Sequence, residues 1–221
     1  MKAEGYKVKI CGITNLDDAT LAIEAGADML GFNFYPPSPR YITPDACGEI
    51  ITTLERSNHS AVYVGVFVNA STEDIAKILN KCGLDLAQLS GDETAEIIQD
   101  FGERAFKGLR IRYLDEAFDK ARKYVNENIA PALLVDAHQA GAYGGTGRLA
   151  NWDVARVIAE RYPILLAGGL NVENVSRALD KVHPWGVDVA SGVESFPGKK
   201  DPQRVRDFIR TVKRFNQEVV L

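Results

Sequence analysis

A thiol and a carboxylate stand at the ends of two short apolar runs of this chain. Cys11 lies in the apolar run 8–13, and Asp136 directly follows the run 131–135. A thiolate can remove a proton and a carboxylic acid can donate one, so this pair suits proton transfers on the two sides of a substrate. If both runs are strands of one parallel sheet, the two side chains lie at the edge where such sheets bind ligands. Cys11 and Asp136 are therefore the candidate catalytic residues.

Strand-like and helix-like segments alternate along the whole chain, with one pair in about every 25 to 30 residues. The strands are predicted at residues 7–12, 28–34, 61–69, 85–89, 105–111, 132–136, 164–167 and 186–190. The helices are predicted at residues 16–25, 44–55, 72–81, 93–100, 115–127, 151–160, 172–180 and 202–215. Because no polar linker interrupts this pattern, we predict an α/β protein of one domain, residues 1–221, folded as a single (β/α)8 TIM barrel. A doubly wound open sheet is the alternative, since the pattern does not show that the first and last strands meet.

The composition favours a cytoplasmic protein whose partners are small molecules. Of 221 residues, 46% are hydrophobic and 25% are charged, and the formal net charge of -4 argues against a nucleic-acid-binding or membrane-binding surface. Three cysteines without C-x-x-C spacing argue against a disulfide framework and a zinc site, and the histidines have no metal-ligand spacing. Cys47 and Cys82 are interpreted as small buried residues near helices. Neither a secretion signal nor an apolar run that could span a bilayer is found, and both a monomer and a homodimer suit a chain of this size.

The alternation of side chains along a strand predicts that Cys11 faces the barrel interior. In a strand over 7–12, Lys9 and Cys11 lie on one face, while Val8 and Ile10 lie on the other face and can pack against helices. Burial at the end of a strand would raise the pKa of the Asp136 carboxyl, which suits a proton donor near neutral pH. A structural Asp136 that caps the following turn is the alternative.

Glycine-rich turns after the last two predicted strands suit a phosphate group. Gly169 lies in the turn 167–171, and Ser191 and Gly192 lie in the turn 190–194. Glycine allows the backbone to approach a ligand closely, and exposed amides favour an anion. Gly145, in the glycine-rich segment that follows Asp136, is expected to add further amides or to belong to a lid.

Arg40 is a candidate for binding a substrate carboxylate. It lies in the loop 35–41, which contains three prolines and follows the second predicted strand. The guanidinium offers a planar pair of donors to a carboxylate, and a proline-stiffened loop loses less entropy in holding it. A solvated surface arginine is equally compatible with this spacing.

Nine short motifs follow one another along the chain. They are Lys-Ile-Cys-Gly-Ile-Thr at 9–14, Gly-Phe at 31–32, Ser-Pro-Arg at 38–40, Gln-Leu-Ser-Gly-Asp-Glu at 88–93, Leu-Val-Asp at 134–136, Gly-Gly-Thr-Gly at 144–147, Ala-Gly-Gly-Leu at 167–170, Val-Asp-Val-Ala-Ser-Gly-Val-Glu at 187–194 and Gly-Lys-Lys-Asp at 198–201. This ordered set resembles the phosphoribosylanthranilate isomerase family of tryptophan biosynthesis. Each turn alone is unspecific, but the ordered set is highly specific and spans nearly the whole chain.

The resemblance implies an Amadori rearrangement of a phosphosugar joined to anthranilate, from an aminoaldose phosphate to the aminoketose phosphate, without a metal or a cofactor. It implies that Asp136 is the general acid that protonates the ribose ring oxygen, and that Cys11 is the general base that removes the proton from the adjacent carbon. Arg40 would bind the anthranilate carboxylate. The backbone near three glycines would bind the phosphate, at Gly145, Gly169 and Gly192.

Two segments depart from the family pattern. Ser90 stands where the family usually has a histidine in Gln-Leu-His-Gly, and residues 148–152 replace the usual Phe-Asp-Trp arrangement. A hydroxyl lacks the charge and the reach of an imidazole, so a contribution of that position to substrate positioning does not carry over to Ser90.

Three alternative functions stay open at this point. The histidine-pathway isomerase catalyses the same type of rearrangement, but by resemblance it would have a pair of aspartates in place of the Cys11 and Asp136 pair. The presence of Cys11 argues against this alternative. An indole glycerol phosphate synthase calls for a lysine at a strand end, and Lys9 lies deeper than that. A catalytically silent barrel that senses a phosphorylated metabolite is favoured by Ser90 alone.

Overall fold

The strands and helices of the chain alternate as the sequence predicts. The structure is a computed structural model that describes residues 5–56, 61–111, 113, 116–136 and 152–218. The parallel strands are β1 Lys7–Cys11, β2 Met29–Asn33, β3 Val62–Phe67, β4 Leu86–Leu89, β5 Ala105–Arg110, β6 Leu133–Asp136, β7 Ile164–Ala167 and β8 Gly186–Val189. The helices are α1 Leu16–Glu24, α2 Pro44–Glu55, α3 Thr72–Cys82, α4 Ala95–Asp100, α5 Ala117–Tyr124, α6 Trp152–Ala159, α7 Val175–Val182 and α8 Pro202–Glu218. None of these helices is both long and apolar enough to cross a membrane.

The eight strands close into a barrel in chain order. Strand β1 pairs in parallel with both β2 and β8, so that Lys9 lies beside Met29 on one side and beside Asp188 on the other. This closure confirms the single (β/α)8 barrel and shows that the open-sheet alternative is wrong. Because all strands are parallel, their carboxyl ends meet at one rim, where active sites of such barrels lie.

The hydrophobic core has two layers that follow from side-chain alternation. Val8 and Ile10 point outward into the layer between strands and helices. A smaller cluster fills the barrel interior and consists of Met29, Val64, Phe106, Leu134, Leu165 and Ala167. Lys9 also points inward, as its partners on β4 and β8 show. The predicted orientation of β1 is therefore confirmed.

Local hydrogen bonds explain where helices begin. The Ser71 side chain accepts a bond from the Asp74 amide at the start of α3, as expected for a capping serine. Helix α7 begins later than predicted, because Asn171 and Asn174 exchange two bonds between backbone amide and side-chain oxygen, at 2.9 and 3.0 Å, that close a turn before Val175.

A short antiparallel hairpin after β8 is absent from the sequence prediction. Its strands are β9 Glu194–Phe196 and β10 Lys199–Lys200, joined at Pro197 and Gly198. Gly198 has a φ of +85°, a left-handed conformation that glycine adopts without strain. The Gly198 carbonyl accepts a hydrogen bond from the Thr14 hydroxyl at 2.6 Å, which fixes the hairpin against the rim of β1.

Candidate active site

A cavity of about 860 Å³ opens at the rim where the parallel strands end. Five of the residues predicted for the site line this cavity: Cys11, Arg40, Asp136, Gly169 and Ser191. Gly192 lines an adjacent hollow of about 280 Å³ together with Ser191 and Arg204. Gly145, the remaining predicted site residue, lies outside the described residues. The cavity thus brings together side chains from β1 and β6 and turns that follow β7 and β8.

Cys11 ends β1 and is partly exposed to the cavity. It pairs with Gly31 on β2, and a Cβ atom at Gly31 would lie only 2.9 Å from the Cys11 Sγ. The absence of a side chain at position 31 therefore leaves room for the thiol. Burial raises the pKa of the Cys11 thiol and the Asp188 carboxylate adds to this rise, while the ammonium groups of Lys9 and Lys200 oppose it.

A buried polar cluster lies beneath the thiol. The Lys9 side chain has no exposed surface, and its Nζ donates to Asp188 Oδ1 at 2.6 Å and to Gln88 Oε1 at 3.0 Å. Burial alone would lower the pKa of Lys9, but the Asp188 carboxylate and the Cys11 thiol together raise it above its ordinary value. Lys9 is therefore held as an ammonium ion inside the barrel.

Asp136 ends β6 on the wall of the same cavity. Its side chain is 32% exposed, and the Nε of Arg110 lies 4.0 Å from its Oδ2. The burial that the sequence-based argument assumed for this carboxyl is thus only partial. The reason is its place at the last residue of β6, on the open rim of the barrel.

Arg40 reaches the cavity over Gly12. Gly12 has a φ of +78°, and a Cβ atom there would lie 2.5 Å from the Cδ of Arg40. The guanidinium is bound in a two-pronged ion pair, in which Nε and Nη2 donate to the two oxygens of Glu194 at 2.8 and 2.6 Å. The surface alternative for Arg40 is therefore wrong, because its side chain is only 22% exposed and is held by Glu194.

Glu194 connects Arg40 to a second buried cation. The Lys200 Nζ donates to Glu194 Oε1 at 2.9 Å and to the Cys11 carbonyl at 2.6 Å. Although burial alone would raise the pKa of Glu194, hydrogen bonds from Arg40 and Lys200 hold it below its ordinary value. One carboxylate thus balances two cations, which leaves one net positive charge in this part of the rim.

The turns after β7 and β8 depend on glycine for their conformation and their close approach. Gly168 and Gly169 have φ values of +98° and +71°. A Cβ atom at Gly192 would lie 1.9 Å from the Leu170 carbonyl oxygen, so glycine is required there for the two turns to meet. Within the described residues, the amides of Gly169 and Ser191 donate no hydrogen bond. These amides are therefore available to a ligand.

Ser90 lies on the cavity wall and is fixed by Gln88, whose Nε2 donates to the Ser90 Oγ at 3.0 Å. Next to it, Glu93 forms a buried ion pair with Lys107 and accepts bonds from the amides of Asn69 and Gly91 at 2.8 and 2.9 Å. These bonds fix the turn after β4. Of the unusual segment 148–152, the structure describes only Trp152, which begins α6.

Sequence reasoning assigned no role to the charged residues that support the site. Asp188, Glu194 and Lys200 lie close to Cys11 and Arg40 only because the barrel closes. The sequence did contain a signal for the pair of Lys9 and Asp188. A lysine predicted to face the barrel interior needs a buried acidic partner. Asp188, flanked by valines in the last strand, is the residue that meets this need.

Comparisons with known proteins agree with this geometry. Residues 8–211 match the family model described as N-(5'phosphoribosyl)anthranilate (PRA) isomerase. The chain is 45% identical over 212 residues to N-(5'-phosphoribosyl)anthranilate isomerase of Pelobacter propionicus, which covers 96% of this chain and 98% of the relative.

Solved structures show the same likeness. The phosphoribosyl anthranilate isomerase of Thermotoga maritima superimposes with a TM-score of 0.83 at 38% identity, over 94% of this chain and 98% of that chain. A phosphoribosyl anthranilate isomerase in complex with reduced 1-(o-carboxyphenylamino)-1-deoxyribulose 5-phosphate gives a TM-score of 0.81 at 36% identity, with the same coverage of 94% and 98%. The chain therefore belongs to the N-(5'-phosphoribosyl)anthranilate isomerase family.

Proposed function

We propose that this protein catalyses the Amadori rearrangement of N-(5'-phosphoribosyl)anthranilate to 1-(2-carboxyphenylamino)-1-deoxyribulose 5-phosphate, a step of tryptophan biosynthesis. The observation that carries the proposal is that Cys11 and Asp136, from β1 and β6, both line one cavity. Family membership and the relative that binds a reduced product support it. We further propose that residues 1–221 act as one cytoplasmic domain, as a monomer or a homodimer.

Asp136 is proposed to open the sugar ring. In its protonated form it donates a proton to the ribose ring oxygen, the bond between that oxygen and C1' breaks, and the nitrogen lone pair forms a C=N bond to give an iminium ion. A carboxyl at the rim can exchange protons with solvent between turnovers, which fits its 32% exposure. General acid catalysis of this kind contributes about 10² to 10⁴ in rate.

Cys11 is proposed to act in the second step. Its thiolate removes the proton from C2', and the electron pair of that C–H bond forms the C1'–C2' double bond while the iminium nitrogen becomes neutral. The resulting enolamine then moves its enol proton to C1' and becomes the ketone. The thiol finally returns its proton through solvent, and Asp136 regains one. Oxidation at C2' balances reduction at C1' within the substrate, so the reaction needs no external electron acceptor.

Arg40 and the late turns are proposed to bind the two anionic ends of the substrate. Arginine has five donor hydrogens, and the pair with Glu194 uses one on Nε and one on Nη2. The Nη1 side makes no hydrogen bond within the described residues and is available to the anthranilate carboxylate. The amides of Gly169, Ser191 and Gly192 are proposed to bind the phosphate, with Gly145 adding to them.

Direct turnover tests this function. The purified protein is mixed with freshly made phosphoribosylanthranilate, and the loss of its fluorescence is followed in parallel for wild type, Cys11→Ala and Asp136→Asn. We expect turnover by wild type and loss of turnover in both variants. Binding of the substrate by wild-type protein without turnover would refute the proposal and would favour the sensor alternative.

The two remaining alternatives have less support. Cys11 takes the place that an aspartate would take in the histidine-pathway isomerase. Lys9 is held by Asp188 and Gln88 below the rim, which argues against the acid of an indole glycerol phosphate synthase.

A further inference from the structure

A fully buried ammonium ion lies directly beneath the proposed catalytic base. Lys9 precedes Cys11 by two residues on the same inward face of β1, and its partners Asp188 and Gln88 come from β8 and β4. We propose that Lys9 is a positioning residue that stabilises the thiolate form of Cys11, and that Asp188 and Gln88 hold Lys9 in place for this purpose. The inference deepens the proposed function and depends on it for the role of Cys11 as base.

The geometry around Gly31 places the ammonium next to the sulfur. A Cβ atom at Gly31 would lie 2.9 Å from the Cys11 Sγ and 3.0 Å from the Lys9 Nζ, so both atoms share the space over this glycine. An ammonium group has three donor hydrogens, and Asp188 and Gln88 accept two of them. The third is available to the sulfur. Because the Lys9 side chain has no exposed surface, its ammonium acts on a neighbouring group with less screening by water than a surface cation would.

The other charges that face Cys11 do not replace Lys9. Lys200, on β10, donates to the Cys11 carbonyl and shares Glu194 with Arg40, so these two cations are partly balanced by one carboxylate. Asp188, on β8, raises the pKa of the thiol, whereas Lys9 opposes the rise caused by burial more than Lys200 does. Asp136 lies on β6, on the wall of the same cavity.

The arrangement predicts opposite shifts for the two members of the buried pair. Lys9→Met removes the cation and leaves the Asp188 carboxylate near the thiol, so the thiolate becomes harder to form. Asp188→Asn removes the anion and keeps the cation, so the thiolate becomes easier to form. A purely structural ion pair would give a loss of stability in both variants and no change in the titration of the thiol.

The experiment measures the rate of alkylation of Cys11 by iodoacetamide against pH, read by the mass of the Cys11 peptide. Cys47 and Cys82 are buried and are distinguished from Cys11 in the same spectrum. The alkylation midpoint is the pH at which the rate reaches half of its maximum. For Lys9→Met we expect this midpoint to rise by about one pH unit or more, so that the reaction at neutral pH becomes about tenfold slower. For Asp188→Asn we expect the midpoint to fall. The low-pH limb of kcat/KM should shift in the same directions.

Lys107→Met is the matched control. Lys107 is another buried lysine, and its Nζ donates to Glu93 and to the Gly91 carbonyl, in the turn after β4. We expect its loss to leave the alkylation midpoint of Cys11 unchanged. A midpoint that moves equally in Lys107→Met and Lys9→Met would overturn the proposal, because the effect would then belong to any buried cation.

A second comparison keeps the test valid if Lys9→Met does not fold. The double variant Lys9→Met/Asp188→Asn leaves no unpaired buried charge. Its midpoint should lie above that of Asp188→Asn alone, and equal midpoints would overturn the role of Lys9. The alkylation assay uses no substrate, so it separates this proposal from the proposed function. If the wild type turns over substrate but the alkylation midpoints do not move, only the proposed role of Lys9 is refuted. If the midpoints move but the wild type shows no turnover, the isomerase activity is refuted and the effect of Lys9 on the thiolate stands.

Discussion

Replacing Glu194 with glutamine tests whether one buried carboxylate holds both cations of the rim. The Glu194 side chain is 3% exposed and accepts three charged hydrogen bonds, two from Arg40 at 2.8 and 2.6 Å and one from Lys200 at 2.9 Å. Glutamine has nearly the same volume but carries no charge and offers one oxygen where the carboxylate offers two. Its amide hydrogens would face donors of Arg40 or Lys200.

The expected cost follows from the burial of Lys200. Its side chain has no exposed surface, so the variant leaves a buried ammonium ion with neutral oxygens as its acceptors, among them the carbonyls of Cys11 and Ala190. Removing one partner of a buried ion pair costs about 3 to 5 kcal/mol. We expect a loss of stability of this size in urea unfolding, together with a raised KM because Arg40 loses its fixed orientation. The matched control is Glu160→Gln, which breaks a surface pair with Arg156 that is 56% exposed on the Glu160 side and costs below about 0.5 kcal/mol.

The pH dependence of stability gives a second measure of the same pair. The folded protein holds the pKa of Glu194 below its ordinary value. The ionised Glu194 therefore stabilises the fold above the unfolded pKa of about 4.3, and this stabilisation is lost as the pH falls through the lower folded pKa. Wild-type protein should therefore lose stability more steeply than Glu194→Gln below about pH 4.3. Equal slopes in acid, or a stability loss no larger than that of Glu160→Gln, would contradict the argument.

Three further predictions concern the proposed site. Cys11→Ala and Asp136→Asn should each lower kcat by about 100-fold or more without unfolding the protein, because each removes a proton-transfer group; near-wild-type turnover in steady-state kinetics would remove the assigned role. Arg40→Ala should weaken substrate binding by about 1.5 to 3 kcal/mol, measured as a rise in KM, and should also destabilise the fold because the buried Glu194 loses a charged partner; an unchanged KM would exclude Arg40 from the site. Gly192→Ala should lower both thermal stability and affinity for inorganic phosphate, since its Cβ atom would lie 1.9 Å from the Leu170 carbonyl; normal phosphate binding by this variant would contradict the proposed anion site.

The structural features that depend on local periodicity could be predicted from the sequence. The inward face of β1 followed from alternation at Lys9 and Cys11. Closure of the barrel was predicted from the eightfold repeat and not from a local signal, because it depends on pairing between β1 and β8, and the open sheet therefore stayed an alternative until that pairing was seen. The hairpin after β8 was missed although Pro197-Gly198 is a typical turn dipeptide, since its strands are only three and two residues long.

Most of the charged residues that support the site could not be predicted, because their contacts join segments that are distant in sequence. Lys9 and Asp188 are 179 residues apart in sequence, and Arg40 and Glu194 are 154 residues apart. Their contacts are set by the register between strands and by the hairpin, which no local pattern encodes. Sequence reasoning also expected more burial at Asp136 than its place at the rim allows. The types of residue that do chemistry were therefore predictable, whereas among the charges that support them only Asp188 left a signal, through the need of an inward-facing Lys9 for an acidic partner.

The distribution of charge explains how an acidic protein can bind a substrate with two anionic ends. The chain has a formal net charge of -4, which disfavours anions at long range. Within the barrel, however, Lys9 and Asp188 balance each other, while Arg40 and Lys200 share one Glu194. The rim beside Cys11 thus keeps one positive charge in a poorly solvated place, where it acts strongly on a carboxylate at short range. Because Glu194 is held by both cations, this charge is fixed before substrate arrives, so binding requires little reorganisation of the site.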